Sequence, residues 1–325
     1  MNQFEDYVRD AWTHHACHPH AVLERLEIGF ELLCQLDDIA GRLADFSVVV
    51  EHTALAHCGQ WAPVDHWLTR LRALGRPDGR PLESTKGIGR LAFALTIAQV
   101  GHADPPPLPD DQVLPACANG LAAHCHAHGP AAALAWIHRF SQGLPTATRS
   151  HIKAVAGAMN GLSFHLSRLS DGPGAQEVSI AAATLSRDAR ALLGHWRALA
   201  DAERFLSLTL AELDHGEPAQ ASARRCQALC SQNAAPVMDR FLAAHAMARA
   251  SCCLGDATSA QQARAEMACL LAEIDDTAAR AQLAALLLSV DVRMQQQADF
   301  DGASDSHAPT GANDPPMPRP LKEDA

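Results

Sequence analysis

One turn recurs four times along this chain: Cys58-Gly59 ahead of Pro63, His128-Gly129-Pro130, His215-Gly216 ahead of Pro218, and Leu254-Gly255-Asp256. Each copy lies between two alanine-rich stretches of helical period. Glycine after the last helical residue relaxes into left-handed backbone, and proline is tolerated in the first turn of the next helix. The pattern therefore predicts an all-α array, an antiparallel helix-pair solenoid. A solenoid is quasi-one-dimensional, so a length of 325 residues does not set the number of domains.

Periodicity with start and stop signals predicts helices near 4–16, 20–35, 38–58, 62–74 and 87–100, then 110–128, 130–142, 147–169, 175–198, 201–214, 217–231, 236–253, 257–273 and 277–297. The polar loop Gly75–Pro81 and the turn Asp171–Gly174 interrupt the run. Asp104–Pro109 carries four prolines, which remove donors and fix φ, so it must be extended. The chain thus divides into five segments: an irregular N-terminal helical cap (1–36), a first helix-pair segment (37–103), a proline-rich seam (104–109), the repeats (110–297) and a tail (298–325). The tail has few large apolar residues to offset its ordering entropy and is expected to be disordered.

Apolar residues make up 48% of the chain, dominated by alanine, with one tyrosine and nine phenylalanines. No apolar run reaches the eighteen residues of a membrane span, and Met1–Asp6 has neither a basic nor a hydrophobic leader region, so a soluble cytoplasmic protein is expected. The ten cysteines are scattered, include the vicinal Cys252 and Cys253, and form no C-x-x-C, which fits reduced, buried thiols. A formal charge of −11, from 26 basic and 37 acidic residues, argues against a nucleic-acid or anionic-membrane surface. Lysine occurs only at 86, 153 and 322, a compositional bias of the kind a GC-rich bacterial genome imposes.

Two segments align best. Arg204-Phe205-Leu206 runs to Gly216-Glu217 and Ala221, and Arg240-Phe241-Leu242 runs to Gly255-Asp256 and Ala260. With Ala228 on the second small position, these residues resemble the tetratricopeptide repeat family in degenerate form. The resemblance implies a right-handed superhelix whose first helices line a concave groove for a peptide or partner helix. It aims Asn119, Ala123 and His126, then Leu206, Leu210 and Leu213, then His245, Arg249 and Cys252 into that groove. Members that clamp a C-terminal carboxylate use lysine and asparagine at such places. Leucines stand here instead, and an apolar or helical partner is expected.

Other motifs carry less. His14, His15, Cys17, His18 and His20 form one cluster, and His124, Cys125, His126 and His128 another; both contain His-x-x-x-His, a metal-ligand spacing on one helical face. No glutamate follows the first histidine as H-E-x-x-H requires, and a third ligand must come from elsewhere, such as His52 or His57. With eighteen histidines dispersed along the chain, chance pairs are expected, and no metal is assigned. Gly87-Ile88-Gly89-Arg90-Leu91-Ala92 outlines a dinucleotide turn without the preceding strand that such a turn needs. The doublets Asp37-Asp38, Asp110-Asp111 and Asp275-Asp276 fall where helices begin and read as caps. Cys226 and Cys230, one turn apart, read as packing, and the tryptophans as anchors between helices.

No catalytic signature and no cofactor motif emerge. The leading expectation is a non-enzymatic scaffold that binds a protein or peptide in its groove. The alternative is a sensory or regulatory domain for a small molecule or metal; an all-α enzyme is third.

Overall fold

A computed structural model of the chain describes residues 2–74, 86–169 and 172–305, and all regular structure among them is helical. The helices are α1 (Gln3–His14), α2 (Pro19–Glu24), α3 (Leu26–Cys34), α4 (Ile39–Glu51), α5 (Ala62–Ala73), α6 (Lys86–Val100), α7 (Asp110–His128), α8 (Ala131–Gly143) and α9 (Arg149–Leu169). They continue as α10 (Pro173–Leu193), α11 (Trp196–Glu212), α12 (Gly216–Gln232), α13 (Val237–Leu254), α14 (Ala257–Ala272) and α15 (Thr277–Asp305). A π-helical turn, His52–His57, prolongs α4.

Neighbours in sequence are neighbours in space. α9 packs on α10, α11 on α12, and α12 and α14 on α13, while α15 lies on both α13 and α14. In the N-terminal half α7 meets α6, α8, α9 and the π turn. One apolar core runs from Phe4 to Ala189 and a second from Ala183 to Val290, so α10 contributes to both. Each large side chain taken fully out of water, such as Phe46 or Phe241, contributes roughly 1.5–3 kcal/mol.

The helix ends follow the expected chemistry. Gly59, Gly129 and Gly255 all have positive φ, at 63°, 93° and 75°. Asp38 accepts the Gly41 N–H at 2.9 Å and Asp276 accepts those of Ala278 and Ala279, as capping requires; at α7 the expected aspartate cap is not formed, since Pro109 is the N-cap and Asp110 and Asp111 lie in the first turn, with Asp110 bonded to His151. The turn at His215-Gly216 works differently. Asp214 takes the left-handed conformation there, with φ 60°. Gly216 instead begins α12, where an added Cβ would stand 3.0 Å from the Leu254 Cα, so the glycine serves a helix–helix contact.

Four boundaries depart from expectation. Residues 20–35 divide at Arg25 into α2 and α3, and the predicted helix 38–58 leaves α geometry at Glu51. Helix 175–198 stops at Leu193, because Gly194 is left-handed (φ 69°) and His195 starts a new helix. α15 continues to Asp305, past the expected start of the tail. The loop Gly75–Pro81, Asp171 and residues 306–325 lie outside the described residues. Gly87 and Gly89 sit inside α6, not in a strand-to-helix turn; a Cβ at Gly87 would come 3.0 Å from the Ala44 Cα, which places α6 close against α4. Among the described residues no helix is long and apolar enough to cross a membrane.

Candidate metal centre

The site starts from a local distortion. His52 and His57 are five residues apart, which on an α-helix leaves them about 140° apart around the axis. The π turn closes i to i+5 and brings them to one side, with their Nε2 atoms 3.3 Å apart. The turn ends at Gly59, whose left-handed backbone lies under His126, and Gln60 N–H closes back on the Ala54 carbonyl at 2.8 Å. Thr53, Ala54, Leu55 and Ala56 are buried, and the turn packs against α7, α9 and α2.

His15, just past the end of α1, completes a triangle. Its ring centroid lies 5.1 Å from that of His52 and 4.9 Å from that of His57. One ring nitrogen from each of the three falls within 4.8 Å of the others. The His15 Nδ1–H donates to the Trp12 carbonyl at 2.6 Å, which orients the ring and leaves Nε2 free as a ligand. The Trp12 ring stands beside both His15 and His52, at 4.9 and 5.3 Å. A fourth imidazole, His165 on α9, lies 5.0 Å from His52 and 4.9 Å from His57; it is 5% exposed, and its Nδ1 has no hydrogen-bond partner.

A buried polar chain stands behind the cluster. Arg90 forms a bidentate pair with Glu51 at 2.8 and 3.0 Å, with the Glu51 side chain fully buried. Asn119 donates to Glu51 at 2.8 Å and also bonds the His52 side chain. Burial, reinforced by the neighbouring imidazoles, pushes His52 down to about 3 and His57 to about 4, and lowers His165 as well. His52 and His57 are therefore neutral at ordinary pH, the form in which imidazole binds metal. Two nitrogens on a tetrahedral ion at ~2.0–2.1 Å stand about 3.3–3.4 Å apart, which the His52–His57 spacing matches.

Of the other histidines singled out from the sequence, His14 bonds the Asp10 carbonyl and His18 lies 6.5 Å away from it ring to ring. His20 faces Cys58 at 3.9 Å. His124 bonds the Ala98 carbonyl and its ring lies tilted on that of His128 at 4.8 Å, with no third ligand among the described residues. Of the first sequence cluster, His15 lies with His52 and His57, whereas the i,i+4 pair His14 and His18 does not join them. His165 is not among the residues the sequence points to. Its only mark there is a histidine set in the apolar stripe of Val155, Met159, Leu162 and Leu166.

The groove candidates scatter. Leu206 and Leu210 belong to the second apolar core, Ala123 and Cys252 are buried, and Asn119 serves the Glu51 chain. His245 is 5% exposed with both ring nitrogens unpartnered, and burial beside Arg249 and Arg204 pushes it down to about 4. Leu213 and Arg249 are half-buried and His126 is exposed. Cys226 and Cys230 are buried with their thiols pushed up, Cys226 to about 12, which makes them poor nucleophiles. Trp67 and Trp136 are buried anchors, whereas Trp12 and Trp61 are exposed by more than a third. No protein-family model matches this chain, and no curated protein matches it in sequence.

Proposed function

We propose that this protein is a helical metal-binding protein of the sensory or regulatory kind, in which His15, His52 and His57 hold one first-row transition-metal ion. The observation that carries the reading is the convergence of three ring nitrogens within 4.8 Å, one from the end of α1 and two from the π turn. A nitrogen-only donor set of imidazoles suits Zn²⁺, Co²⁺, Ni²⁺ or Cu²⁺ and disfavours Mg²⁺ and Ca²⁺, which take oxygen. The Glu51–Asn119–His52 chain and the Trp12 carbonyl are the outer partners that hold such rings in place.

The helix pairs α11–α12 and α13–α14, with their short connections, support reading the C-terminal half as a tetratricopeptide-like antiparallel solenoid. In that reading the solenoid is the frame, and the metal end is where the chain responds. Groove binding of a peptide has less support, because Leu206 and Leu210 are used in the core.

The test is calorimetric titration of Zn²⁺ into chelator-stripped, tag-free protein. One ion per chain is expected, with binding lost in the double variant His52→Ala/His57→Ala. A wild type that takes up no ion, or a double variant that binds as wild type does, refutes the reading.

A further inference from the structure

Where α9, the end of α10 and the start of α11 meet, the packing leaves an open cavity of about 770 Å³ that shares no residue with the histidine cluster. Gly194 takes left-handed backbone, with φ 69°, and turns the chain from α10 into α11. α9 and α11 therefore both pack on α10 but touch each other little. α10 also supplies side chains to both apolar cores. Small-molecule sites favour boundaries between packed units, in cavities of roughly 300–1,000 Å³.

The lining is cationic, in a chain whose formal charge is −11. Arg149 and Lys153 stand one turn apart on α9, Arg190 lies near the end of α10, and Arg197 opens α11. The carboxylate of Asp201 in the same wall is already paired, with Arg190 at 3.0 Å and with Arg204 at 2.6 Å, and Asp239 takes Arg197. Two cations are left uncommitted. Arg149 donates to the neutral Leu193 carbonyl at 3.1 Å, and Lys153 has no hydrogen-bond or ion-pair partner among the described residues.

The rest of the wall is small and apolar, with Ala156, Leu193, Ala198 and Gly157. Gly157 follows Arg149 and Lys153 on one face of α9. Glycine inside a helix is unfavourable relative to alanine. A Cβ at Gly157 would meet nothing within 4 Å, so no packing contact demands the glycine, and the missing side chain leaves room in the cavity.

We infer that this cavity binds a small organic phosphate monoester, its phosphate held by Arg149 and Lys153 and its apolar body laid over Gly157, Ala156 and Leu193. Two uncommitted cations match a phosphate near −2 better than a singly charged carboxylate, and phosphate offers oxygens to a guanidinium and an ammonium at once. A bound ester touches both α9 and α11 and so fastens together two helices that otherwise meet little. The site needs no metal, so it stands or falls separately from the histidine centre.

The test is calorimetric titration of the chelator-stripped full chain with 1-naphthyl phosphate, compared with 1-naphthoate, 1-naphthol and inorganic phosphate. Stripping ensures that no ion bridges the phosphate. One ester per chain should bind, and each comparison compound should bind at least tenfold more weakly. Lys153→Glu, at an exposed position, should weaken the ester at least tenfold. Gly157→Leu keeps both cations and fills the space, so it should weaken the ester by a similar factor and leave inorganic phosphate unchanged. His52→Ala/His57→Ala should bind the ester as wild type does.

A wild type that does not bind the ester, or ester binding that survives both cavity variants, overturns the inference. Inorganic phosphate as tight as the ester refutes the apolar part of the site. Naphthoate as tight refutes the choice of phosphate, and naphthol as tight refutes the anionic ligand altogether. Loss of the ester in His52→Ala/His57→Ala would place it at the histidine centre instead. The four compounds are compared on wild type alone, so a misfolded variant does not remove the test.

Discussion

The two halves of this molecule solve the same packing problem with different means. From α11 to α15 the chain is alanine-rich helix pairs joined by short turns, and its core is built largely of alanine with Leu206, Phe241, Met267 and Leu270. From α1 to α9 the helices are shorter and less regular, and aromatic side chains such as Phe30, Phe46 and Trp67 stack within 6.2 Å of one another. The N-terminal half also holds a π turn, a buried Arg90–Glu51 pair and four touching histidines. Both halves bury polar side chains, Glu203 and His245 in the regular one and Glu51 and Asn119 in the irregular one, but among the described residues the irregular half is where imidazoles gather around a π turn. Distortions of this kind persist only where surrounding packing supports them, and π turns concentrate at functional sites.

The comparison can be broken most severely in the regular half. Leu206→Glu places a carboxylate in the second core, where Leu206 is 4% exposed, and should cost about 4 kcal/mol or more, seen as loss of the cooperative urea transition. A variant that keeps wild-type stability would show that this leucine faces a groove after all. In the irregular half, Glu51→Ala leaves Arg90 without its buried partner and should cost about 3–5 kcal/mol by urea melting. It should also weaken metal binding, because Asn119 loses the acceptor that positions it beside His52. A loss confined to stability, with metal affinity intact, would separate the ion pair from the site.

Acid should strain the regular half through His245. Its folded form takes up a proton near 4, against about 6.5 for an unfolded histidine, so the unfolded chain binds the proton first. Stability is therefore lost as pH falls from about 6.5 toward 4, on the order of 3 kcal/mol from this residue. His245→Leu should flatten the pH dependence of the urea midpoint by that amount, and an unchanged slope would mean the ring is not held neutral. Zinc sharpens the contrast from the other side. At a hundredfold excess over its dissociation constant, it should stabilise the wild type by about 2.7 kcal/mol and the His52→Ala/His57→Ala variant not at all. The smallest effect is Gly216→Ala, whose Cβ meets the Leu254 backbone and should cost about 1–3 kcal/mol in thermal unfolding.

Legibility in the sequence differs by element. The helices and the turns at Gly59, Gly129 and Gly255 follow from local chemistry, because caps and glycine conformations depend on residues within one turn. Gly194 carries the same signal, but the alanine-rich run around it masks the break, and Asp214 takes a conformation more often given to glycine. The site is visible only in fragments. His15, His52 and His57 each stand out, but a five-residue spacing is on no common helical face, so helical periodicity favours the i,i+4 pairs His14–His18 and His124–His128 instead.

By itself the sequence determined an all-helical chain, most of its element boundaries and a negative composition with scattered cysteines, since helices and their ends depend on periodicity and short-range hydrogen bonding. Tertiary structure alone decided that α4 unwinds into a π turn, that Asn119 bonds a buried carboxylate, and that His165 meets histidines more than a hundred residues earlier. The reason is physical. Which side chains share a buried volume is set by how helices distant in sequence pack, and no local propensity encodes that meeting.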